Sequence, residues 1–517
     1  MRGTDPCLAR RRFLAGAAAA FLLPGLARAA RPPRFSAFPF SLGVASGSPR
    51  TDGVVIWTRL APQPLEGGGM QPETVDVRWE VADDAAFRRI VRKGSALAAP
   101  GNAHAVHVEV EGLAPGRGYH YRFLCGDAAS PTGRTRTAPE DGKGDERLRL
   151  AFASCQQYEQ GYFVAHRHLA DEDADLIAFL GDYIYESSWG RDHVRKHGSA
   201  EPVTLDEYRA RYALYKSDAD LQKSHACAPW IVTWDDHEVD NDYAANRSEE
   251  LDPQFPLRRA AAYKAFLEHM PLRRSVLVEG GGIRLYDRHA WGGLATLHVL
   301  DDRQYRSHQA CPRAGRGGGN VVGAACSERL DPARTMLGAA QERWLGEGLA
   351  QSKSRWNVIA QQTLFAPAGR VNGKGSLVHW TDGWDGYPAA RARLLKSIAE
   401  GKPGNPLVIG GDVHATYAAH LHADPARPDS PRVATEICGT SISSQGPSAS
   451  MLAGIVAANP HIVFADGEAR GYVVVDIGRE GASARLRAVE TVKRADAPIA
   501  TRYTGVIEAG RAGIERQ

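Results

Sequence analysis

The apolar residues in the early part of the chain follow a period of two. Between Phe38 and Arg136 the stretches GVVIWTRL, VDVRWEVA and HAVHVEVEGL alternate apolar and polar side chains. Glycine or proline separates such stretches about every 8–12 residues, which is typical of short antiparallel strands that bury one face. The pattern therefore predicts a small all-β sandwich over residues 38–140, preceded by an exposed segment at 30–37.

The pattern changes after a polar linker at residues 141–147. Apolar strands now alternate with helical stretches, as in RLRLAFASC, DLIAFLGD, WIVTWDDHE, TLHVLDDRQYR, RWNVIAQQT and PLVIGGDVH. Strands that are apolar throughout and are joined by helices indicate an α/β domain with layered sheets. We expect this domain to span residues 148–490 and a tail to follow at 491–517.

The first residues form a pattern of a different kind. Arg10 and Arg11 precede Phe13 and an apolar run of about a dozen residues, which ends in the small-residue sequence Ala27–Ala29. Residues 1–29 therefore resemble a twin-arginine export signal, and an uncleaved anchor is the alternative. The run is shorter than the ~20 residues of a membrane span. We expect a periplasmic or extracellular protein that uses the twin-arginine export machinery and has no stable membrane anchor.

Composition and charge add two limits. At 517 residues, with 43% hydrophobic and 24% charged residues, the chain suits a soluble globular protein with more than one folding unit. The net charge is +3, and residues 1–29 contribute five arginines against one aspartate. The remaining chain therefore carries a net charge of about −1 and no basic run, so we expect no specific nucleic acid binding.

The cysteines can be sorted by position. Cys7 leaves with the leader, and the other six of the seven reach a compartment where disulfides form. Cys311 and Cys326 flank the glycine-rich loop PRAGRGGGNVVGAA, and we predict that they pair. Cys155 follows the strand RLRLAFAS and could be half of a disulfide, a core side chain, a nucleophile or a metal ligand.

Several predicted strands end in polar residues. Sites in open α/β sheets lie outside the carboxyl ends of the strands, so we expect these residues to converge. Crowded acids repel one another unless cations neutralise them or their pKa values rise, and metal ions are the simpler explanation. The residues at the strand ends are Cys155, Asp182, Asp235, Asp236, His237, Asp301, Asp302, Arg303, Asp412 and His414.

The ligand types narrow the choice of metal. Tyr185 lies three residues after Asp182 and could reach the same ion. Thiolate and phenolate ligands favour a strongly acidic ion such as Fe(III), whereas clustered oxygen ligands suit magnesium or calcium. On this interpretation Cys155 is an anionic iron ligand.

The motifs resemble a known family. GDYIYE is similar to the GDxxY motif of the purple acid phosphatases, which are metallophosphoesterases. The full set, FASCQQ, FLGDYIYE, WDDHEVDND, LDDRQYR and GGDVH, resembles the PhoD-type alkaline phosphatase/phosphodiesterase family from the leader to about Asp476. The resemblance implies a metallophosphoesterase-like α/β sandwich. The phrase VEGLAPGRGYHYRFLCGD places a fibronectin-III-like or Ig-like sandwich before it.

The resemblance also implies a ligand set and a lid. Fe(III) would be held by Cys155, Asp182, Tyr185 and His414. Ca(II) would share Asp182 and use Asn241 and Asp412, with Asp235, Asp236 or Glu238 nearby. HEVDND stands where the family more often has HEVENN, so either Asn241 or Asp242 could face the metal. In the family such a tail can shield the site with a helix, which makes residues 491–517 a candidate lid helix.

The predicted function is hydrolysis of phosphate esters, either monoesters or diesters, by an exported metal-dependent enzyme. A hydroxide or oxo group bridging the ions would attack phosphorus in line. Arg303 would clamp the phosphate, although Asp302 stands where the family usually has threonine. His237 would either assist the leaving oxygen or orient a neighbouring side chain.

Two alternatives stay open. Within enzymes, one dinuclear site can serve a phosphodiesterase or a phospholipase-D-like enzyme equally well. In another class, the acidic strand ends would hold structural ions in a calcium-dependent binding or surface protein. Cys155 and Tyr185 together argue against this second alternative, because calcium has little use for a thiolate. Trp380 and Trp384 either wall the cleft or pack in the core.

Overall fold

A computed structural model describes residues 34–142, 146–278, 282–427 and 429–517. The predicted export signal at 1–29 and the start of the predicted exposed segment at 30–37 lie outside these ranges. Residues 34–37 of that segment are mostly exposed. Within the described ranges, no helix is both long enough and apolar enough to cross a membrane.

The amino-terminal part consists of short strands with alternating burial. In Gly118–Cys125, for example, Tyr119, Tyr121 and Phe123 are buried and the residues between them are not. Such alternation places one face of each strand on a core. The strands are β1 (Val44–Gly47), β2 (Gly53–Arg59), β3 (Val75–Ala82), β4 (Ile90–Ala98), β5 (Ala105–Glu111), β6 (Gly118–Cys125), β7 (Ala128–Ala129) and β8 (Gly133–Arg136).

Two sheets enclose the core of this part. One contains β3, β4, β6, β7 and β8, and the other contains β1, β2 and β5. Val54, Ile56, Val81, Tyr121 and Phe123 belong to the apolar cluster between them. This is the small all-β sandwich that the alternating pattern predicts.

The larger part alternates strands and helices. Its helices are α1 (Val164–Ala170), α2 (Leu205–Lys216), α3 (Ala219–Cys227), α4 (Phe255–His269), α5 (Gly338–Gln351), α6 (Pro388–Gly401) and α7 (Ala449–Ala458). Its strands are β9 (Arg147–Ala153), β10 (Leu176–Phe179), β11 (Pro229–Val232), β12 (Leu277–Val278), β13 (Gly282–Ile283), β14 (Asp287–Trp291), β15 (Ala295–Val299), β16 (Val321–Val322), β17 (Trp356–Ala360), β18 (Arg370–Val371), β19 (Leu377–Trp380), β20 (Pro406–Gly410), β21 (Thr416–His422), β22 (Arg432–Cys438), β23 (Ile462–Asp466), β24 (Arg470–Gly478), β25 (Gly481–Val489), β26 (Ile499–Glu508) and β27 (Glu515–Arg516).

Two large sheets face each other in this part. The first has the strand order β27-β26-β25-β24-β9-β10-β11-β1-β2-β5, and the second has the order β14-β15-β17-β20-β22-β21-β23. β9, β10 and β11 run parallel, as do β15, β17, β20 and β22, while β24 is antiparallel to β9. Side chains of both sheets, such as Leu150, Phe152, Val358 and Ile409, form the core between them.

Helices cover the two outer faces. Tyr208, Phe255 and Phe266 of α2 and α4 belong to the core on the outside of the first sheet. Leu345, Leu394 and Leu452 of α5, α6 and α7 belong to the core on the outside of the second. The layers are therefore helix, sheet, sheet and helix, which confirms the predicted α/β class with a preceding β domain.

The sandwich and the larger part share a sheet. β1 runs parallel to β11 with Ser46 beside Pro229, and the N–H of Ser48 donates to the carbonyl of Trp230 at 3.0 Å. One sheet of the sandwich thus continues the first large sheet. The predicted linker at residues 141–147 is therefore not the sole connection between the parts, because backbone hydrogen bonds also join them.

The tail is part of this sheet, so the predicted lid helix at 491–517 is wrong. β26 pairs antiparallel with β25, placing Tyr503 opposite Leu486, and β27 pairs with β26. Tyr503 and Ile507 are buried in the core between the large sheets. The β-branched and aromatic residues of TRYTGVIE favour a strand, and the burial of alternate residues of this strand stabilises it.

Candidate metal centre

The polar residues that follow the strands meet at one edge of the two sheets. β9, β10 and β11 of the first sheet and β15 and β20 of the second end beside one cleft of about 890 Å³. The loops after these strands bring thiol, carboxylate and imidazole groups within a few ångströms of one another. The expected convergence at the carboxyl ends of the strands is therefore present.

A sulfur-containing group lies in the loops after β9, β10 and β20. Ligand atoms of Cys155, Asp182 and His414 all lie within 4.8 Å of one another. The Tyr185 hydroxyl donates to Asp182 Oδ2 at 2.8 Å and lies 3.1 Å from His414 Nε2. Ser444 Oγ lies 2.9 Å from that hydroxyl. Cys155 is buried and has no disulfide partner among the described residues, so three of its four predicted roles remain: a core side chain, a nucleophile and a metal ligand.

Burial controls protonation in this group. Burial and the nearby Asp182 carboxyl raise the pKa of the Cys155 thiol well above its usual value, and burial does the same for Asp182. Burial lowers the pKa of His414 to about 3, so its imidazole is neutral. His414 Nδ1 donates to the carbonyl of Gln445 at 2.9 Å, which leaves the lone pair on Nε2 facing the group. The thiolate and carboxylate forms thus require a nearby cation.

A group of three carboxylates lies beside the sulfur group. Ligand atoms of Asp235, Asp236 and Asp412 lie within 4.8 Å of one another. Burial raises the pKa of Asp235 well above its usual value and that of Asp412 to about 6. For Asp236, burial raises the pKa, but the charges of Arg303 and His237 and a hydrogen bond from the N–H of Asp242 together outweigh burial and lower the pKa. Only some of these acids are therefore ionised without added positive charge.

Arg303 lies beneath the carboxylates rather than in the cleft. Its side chain is 1% exposed, its Nη1 donates to Asp382 Oδ2 at 2.8 Å, and its Nε donates to Asp235. Nη2 lies 3.6 Å from Asp236 Oδ2 and 3.8 Å from Asp412 Oδ1. Arg303 is not among the described residues that line the cleft. This position differs from the predicted phosphate clamp, because four acids already occupy the guanidinium.

His237 lies on the wall of the cleft and is oriented by Glu186. Its Nδ1 donates to Glu186 Oε2 at 2.7 Å, and its ring packs against Tyr185 with the centroids 4.1 Å apart. Burial lowers the pKa of His237, but the charges of Glu186 and Asp236 outweigh it and hold the pKa well above its usual value. A cationic His237 that faces the cleft can donate a proton there.

The structure separates Asn241 from Asp242. Ligand atoms of Asp242, Asp236 and Asp382 lie within 4.8 Å of one another. Asn241 lines the cleft, but its side-chain amide donates to Glu249 Oε2 at 2.9 Å. The Asp242 carboxylate therefore lies with the acids, and the amide nitrogen of Asn241 faces Glu249.

Glu238 holds the backbone of two ligand-bearing loops. Its carboxylate accepts hydrogen bonds from the backbone N–H groups of Asp182 at 3.1 Å, Tyr183 at 2.6 Å and Asp235 at 2.7 Å. Burial outweighs these hydrogen bonds and raises its pKa to about 7. Among the described residues, Glu238 belongs to no ligand group, so its role here is to position the loops.

Five residues of the site have a left-handed backbone. The φ values are +60° at Cys155, +56° at Asp182, +52° at Asp242, +63° at Asp412 and +53° at His414. This region costs a residue with a side chain about 1–2 kcal/mol. Such strain clusters where the surrounding structure fixes functional side chains.

Tryptophans form part of the wall. Trp380 lines the cleft, whereas Trp384 is buried and donates to Gln361 Oε1 at 3.1 Å. Trp189 also lines the cleft and stacks on His414, with the centroids 5.5 Å apart and the rings 5° from parallel. Trp189 thereby limits rotation of the imidazole.

Two acids of the site were missed from the sequence. Glu186 is the last residue of GDYIYE, one position after Tyr185, and this motif could have indicated it. Asp382 lies in HWTDGWDG, a segment in which the sequence indicated only the two tryptophans as candidate cleft residues. The predicted Cys311–Cys326 disulfide is confirmed, and it closes the loop that carries Gly319, whose N–H donates to Asp242 Oδ2 at 2.8 Å.

The donor set fits bound metal ions. Asp182 Oδ1 and Asp235 Oδ2 are buried and have no hydrogen-bond partner within the described part of the chain. A buried carboxylate oxygen without a partner is unfavourable, and a cation satisfies it. A thiol, a phenol, a neutral imidazole and several carboxylates also match the ligand types of metal sites.

Comparisons with known proteins agree with this geometry. The family described as PhoD-like phosphatase matches residues 150–486, and the family described as PhoD-like phosphatase, N-terminal domain, matches residues 25–139. Alkaline phosphatase D of Bacillus subtilis (strain 168) is 46% identical over 496 residues, which cover 94% of this chain and 83% of that protein.

Solved structures give the same result. A structure described as that of PhoD matches with a TM-score of 0.88 and 45% identity, over 94% of this chain and 93% of that chain. The purple acid phosphatase PPD1 from yellow lupin (Lupinus luteus) seeds matches with a TM-score of 0.56 and 10% identity, over 90% and 74% of the two chains. That second match shows a shared fold. The chain belongs to the PhoD-like phosphatase family and is a phosphoric ester hydrolase.

Proposed function

We propose that the cleft binds Fe(III) and Ca(II) and hydrolyses phosphate monoesters, diesters or both. Cys155, Asp182, Tyr185 and His414 would hold the iron, because thiolate and phenolate suit a strongly acidic ion. Asp182, Asp235, Asp236 and Asp412 would hold calcium, with Asn241 or Asp242 nearby, because calcium takes oxygen ligands. The observation that carries the proposal is the grouping of a free buried cysteine with Asp182, Tyr185 and His414.

Bound ions would supply a nucleophilic water near neutral pH and neutralise charge on the phosphate. The residues of the chain supply orientation and a proton. Gln445 and Ser444 orient His414 and Tyr185, and the Thr363 hydroxyl donates to Asp412. These fixed positions remove the need to reorganise polar groups during the reaction.

His237 is the proton donor in this proposal. Glu186 accepts a hydrogen bond from the Nδ1–H of His237. The Nε2–H of the cationic ring therefore stays available for the leaving oxygen of the substrate. Transfer of that proton converts an alkoxide leaving group into an alcohol. In-line attack would require the leaving oxygen to face away from the nucleophile and toward His237 on the wall of the cleft.

The test compares wild type with Cys155→Ser and with Cys227→Ser as the matched control, because Cys227 is also a free cysteine but belongs to α3. We expect iron and nearly all activity to be lost in Cys155→Ser alone, with an unchanged circular dichroism spectrum. Wild type should absorb visible light through tyrosinate bound to Fe(III). Full activity in a colourless, iron-free protein would refute the iron ligand set.

A substrate panel separates the remaining alternatives. p-Nitrophenyl phosphate and bis(p-nitrophenyl) phosphate report monoester and diester hydrolysis with the same leaving group. Activity on the diester alone would assign the cleft to a phosphodiesterase or a phospholipase-D-like enzyme. Calcium removal by a chelator should lower turnover without removing iron.

We infer that the chain is exported through the twin-arginine route. The pattern of residues 1–29 supports this inference, and so does the Cys311–Cys326 disulfide, because disulfides persist in oxidising compartments. Replacing Arg10 and Arg11 by lysine should leave the protein in the cytoplasm with its signal uncleaved. Normal processing of that variant would argue against the twin-arginine route.

A further inference from the structure

A second cavity lies at the opposite edge of the second sheet. Its volume is about 620 Å³, and parts of the segments 353–356, 398–406, 432–435 and 507–512 line it. β17, β20 and β22 all begin at this cavity, whereas the metal centre follows the other end of β20. A five-residue strand spans about 17 Å, so the cavity is separate from the catalytic cleft.

The lining of this cavity, here called the basic pocket, is positively charged. None of the described residues that line it is an aspartate or a glutamate. The cationic side chains of the lining are Lys353, Arg355, Lys402, Arg432 and Arg511.

Most of these charges are not neutralised by the protein. Arg511 pairs with Glu508 at 3.8 Å and with Glu515 at 3.2 Å. Lys353, Lys402 and Arg432 make no ion pair with any described residue. α5 and α6 end close to the pocket, and each carboxyl end contributes about half a negative charge. Two helix ends therefore offset about one of the unpaired charges, and an excess remains.

The wall of the basic pocket is rigidly built. The Asn405 side-chain amide donates to the carbonyl of Arg355 at 2.8 Å, and its Oδ1 accepts from the N–H of Gly510 at 2.5 Å. A Cβ atom at Gly404 would lie 2.6 Å from the carbonyl oxygen of Arg355, so only glycine fits there. Three of the lining segments are thus fixed to one another, which pre-forms the pocket and lowers the entropy cost of binding.

We propose that the basic pocket binds a small molecule that carries several phosphate or sulfate groups. Lysine and arginine are the residues that recognise such groups. A single phosphate ion would leave most of the volume empty, since pockets of about 300–1,000 Å³ suit larger molecules. The pocket therefore gives this phosphatase a second anion site, remote from its metal ions.

The experiment titrates inositol hexakissulfate into the holoenzyme by calorimetry at low salt. This probe carries six sulfate groups and no phosphate ester, so hydrolysis does not consume it. We expect one bound molecule per chain and weaker binding as salt screens the charges. The double variant Lys353→Ala/Arg432→Ala should bind at least tenfold more weakly. Lys396→Ala should bind as wild type does, because Lys396 lies on α6 and pairs with Glu400 outside the pocket.

Hydrolysis of p-nitrophenyl phosphate is measured in parallel to locate the probe. All three substituted side chains lie far from the metal centre, so kcat and KM should stay unchanged in the variants. Equal affinity of wild type and the double variant would overturn the proposal, as would the absence of binding. Competitive inhibition with a constant equal to the Kd would place the probe in the catalytic cleft and would also overturn it. Inorganic sulfate should bind at least tenfold more weakly; equal affinity would contradict a site for several anionic groups.

Discussion

A single carboxylate joins two of the loops that carry ligands. Glu238 accepts three backbone N–H groups, from Asp182 and Tyr183 after β10 and from Asp235 after β11. Both of its oxygens are therefore occupied by donors. Glutamine has an NH₂ group in place of one carboxylate oxygen. At position 238 this NH₂ donor would face a backbone N–H, which is also a donor.

We predict that Glu238→Gln weakens metal binding and lowers kcat at least tenfold while KM changes little. The physical reason is the displacement of Asp182 and Asp235, since a misplacement of about 1 Å can reduce turnover 10²-fold. Metal analysis and steady-state kinetics with p-nitrophenyl phosphate measure the two effects. Glu250→Gln is the matched control, because Glu250 lines the same cleft but pairs with Arg316 at the surface. Unaltered metal content in Glu238→Gln would contradict the positioning role.

A second prediction concerns Arg303, whose guanidinium lies among four acids. Replacement by methionine leaves Asp235 without its buried partner and leaves Asp382 with Arg306 as its remaining buried partner. Breaking a buried ion pair in this way typically costs about 3–5 kcal/mol. We therefore expect Arg303→Met to lower the thermal unfolding midpoint and to reduce the metal content. Arg316→Met should change little, because its pairs with Glu249 and Glu250 are partly exposed.

The predicted phosphate clamp would give the opposite result for Arg303→Met. A clamp that contacts only substrate would raise KM and leave the unfolding midpoint and the metals unchanged. Calorimetry, metal analysis and kinetics on the same sample therefore separate the two roles of Arg303.

Residue types identified much of the metal centre. Cys155, Asp182 and His414 follow apolar strands. The carboxyl ends of parallel strands lie at the same edge of a sheet, whatever the conformation of the loops that follow them. The surroundings of Arg303 could not be predicted in this way. Its partner Asp382 lies 79 residues further along the chain in an irregular loop, and no pattern reports where such a loop packs.

Among the elements, β26 offers the clearest test. Tyr503 is 4% exposed and stacks on Phe464, with the ring centroids 4.1 Å apart. We predict that Tyr503→Ala lowers the free energy of unfolding by about 3 kcal/mol, because a large buried side chain leaves a cavity. Arg502→Ala, on the exposed side of the same strand, should have little effect. Denaturant unfolding measures both, and faster turnover in Tyr503→Ala would instead support a lid that covers the cleft.

Elements were predictable where side-chain pattern determines them. Period-two alternation indicated β3, β5 and β6, and continuous apolar runs indicated the parallel strands. β2 is buried at all seven positions and shows no such alternation. The pairing of β1 with β11 was not predictable, because backbone hydrogen bonds at a sheet edge carry no side-chain signal. The strand β26 was missed for a related reason, since a short tail with three glycines shows no clear period.

At the scale of the whole molecule, a buried lysine connects the two parts. Lys216, the last residue of α2, has its Nζ 4.2 Å from the ring centroid of Trp57 in β2 and 5.4 Å from that of Tyr183 beside the metal centre. Burial lowers its pKa from 10.5 to about 7. His225 and His269 are close enough for the lysine charge to lower their pKa values further.

This lysine should make stability depend on pH. The unfolded chain binds the proton of Lys216 more tightly than the folded chain does, so the free energy of unfolding rises between pH 7 and about 10.5. We predict that Lys216→Met raises the unfolding midpoint at pH 7, where the penalty for Lys216 is on the order of 4 kcal/mol. At pH 10 the same substitution should have little effect.

The matched control for Lys216→Met is Lys223→Met. Lys223 is exposed and pairs with Asp171, so its substitution should leave the midpoint unchanged at both pH values. Calorimetric scans of the three proteins at pH 7 and pH 10 test the prediction. A midpoint of Lys216→Met below that of wild type at pH 7 would show that the cation–π contacts stabilise more than burial destabilises.

The strand order of the first sheet has a consequence for biosynthesis. Phe152 of β9 pairs with Val473 of β24, so a ribosome must add more than three hundred residues before that neighbour exists. At about 5–20 residues per second, one side of β9 waits roughly 15–65 s for its partner. An unpaired apolar strand readily joins other chains during such an interval. Chaperones that shelter nascent chains should therefore determine how much active enzyme a cell obtains.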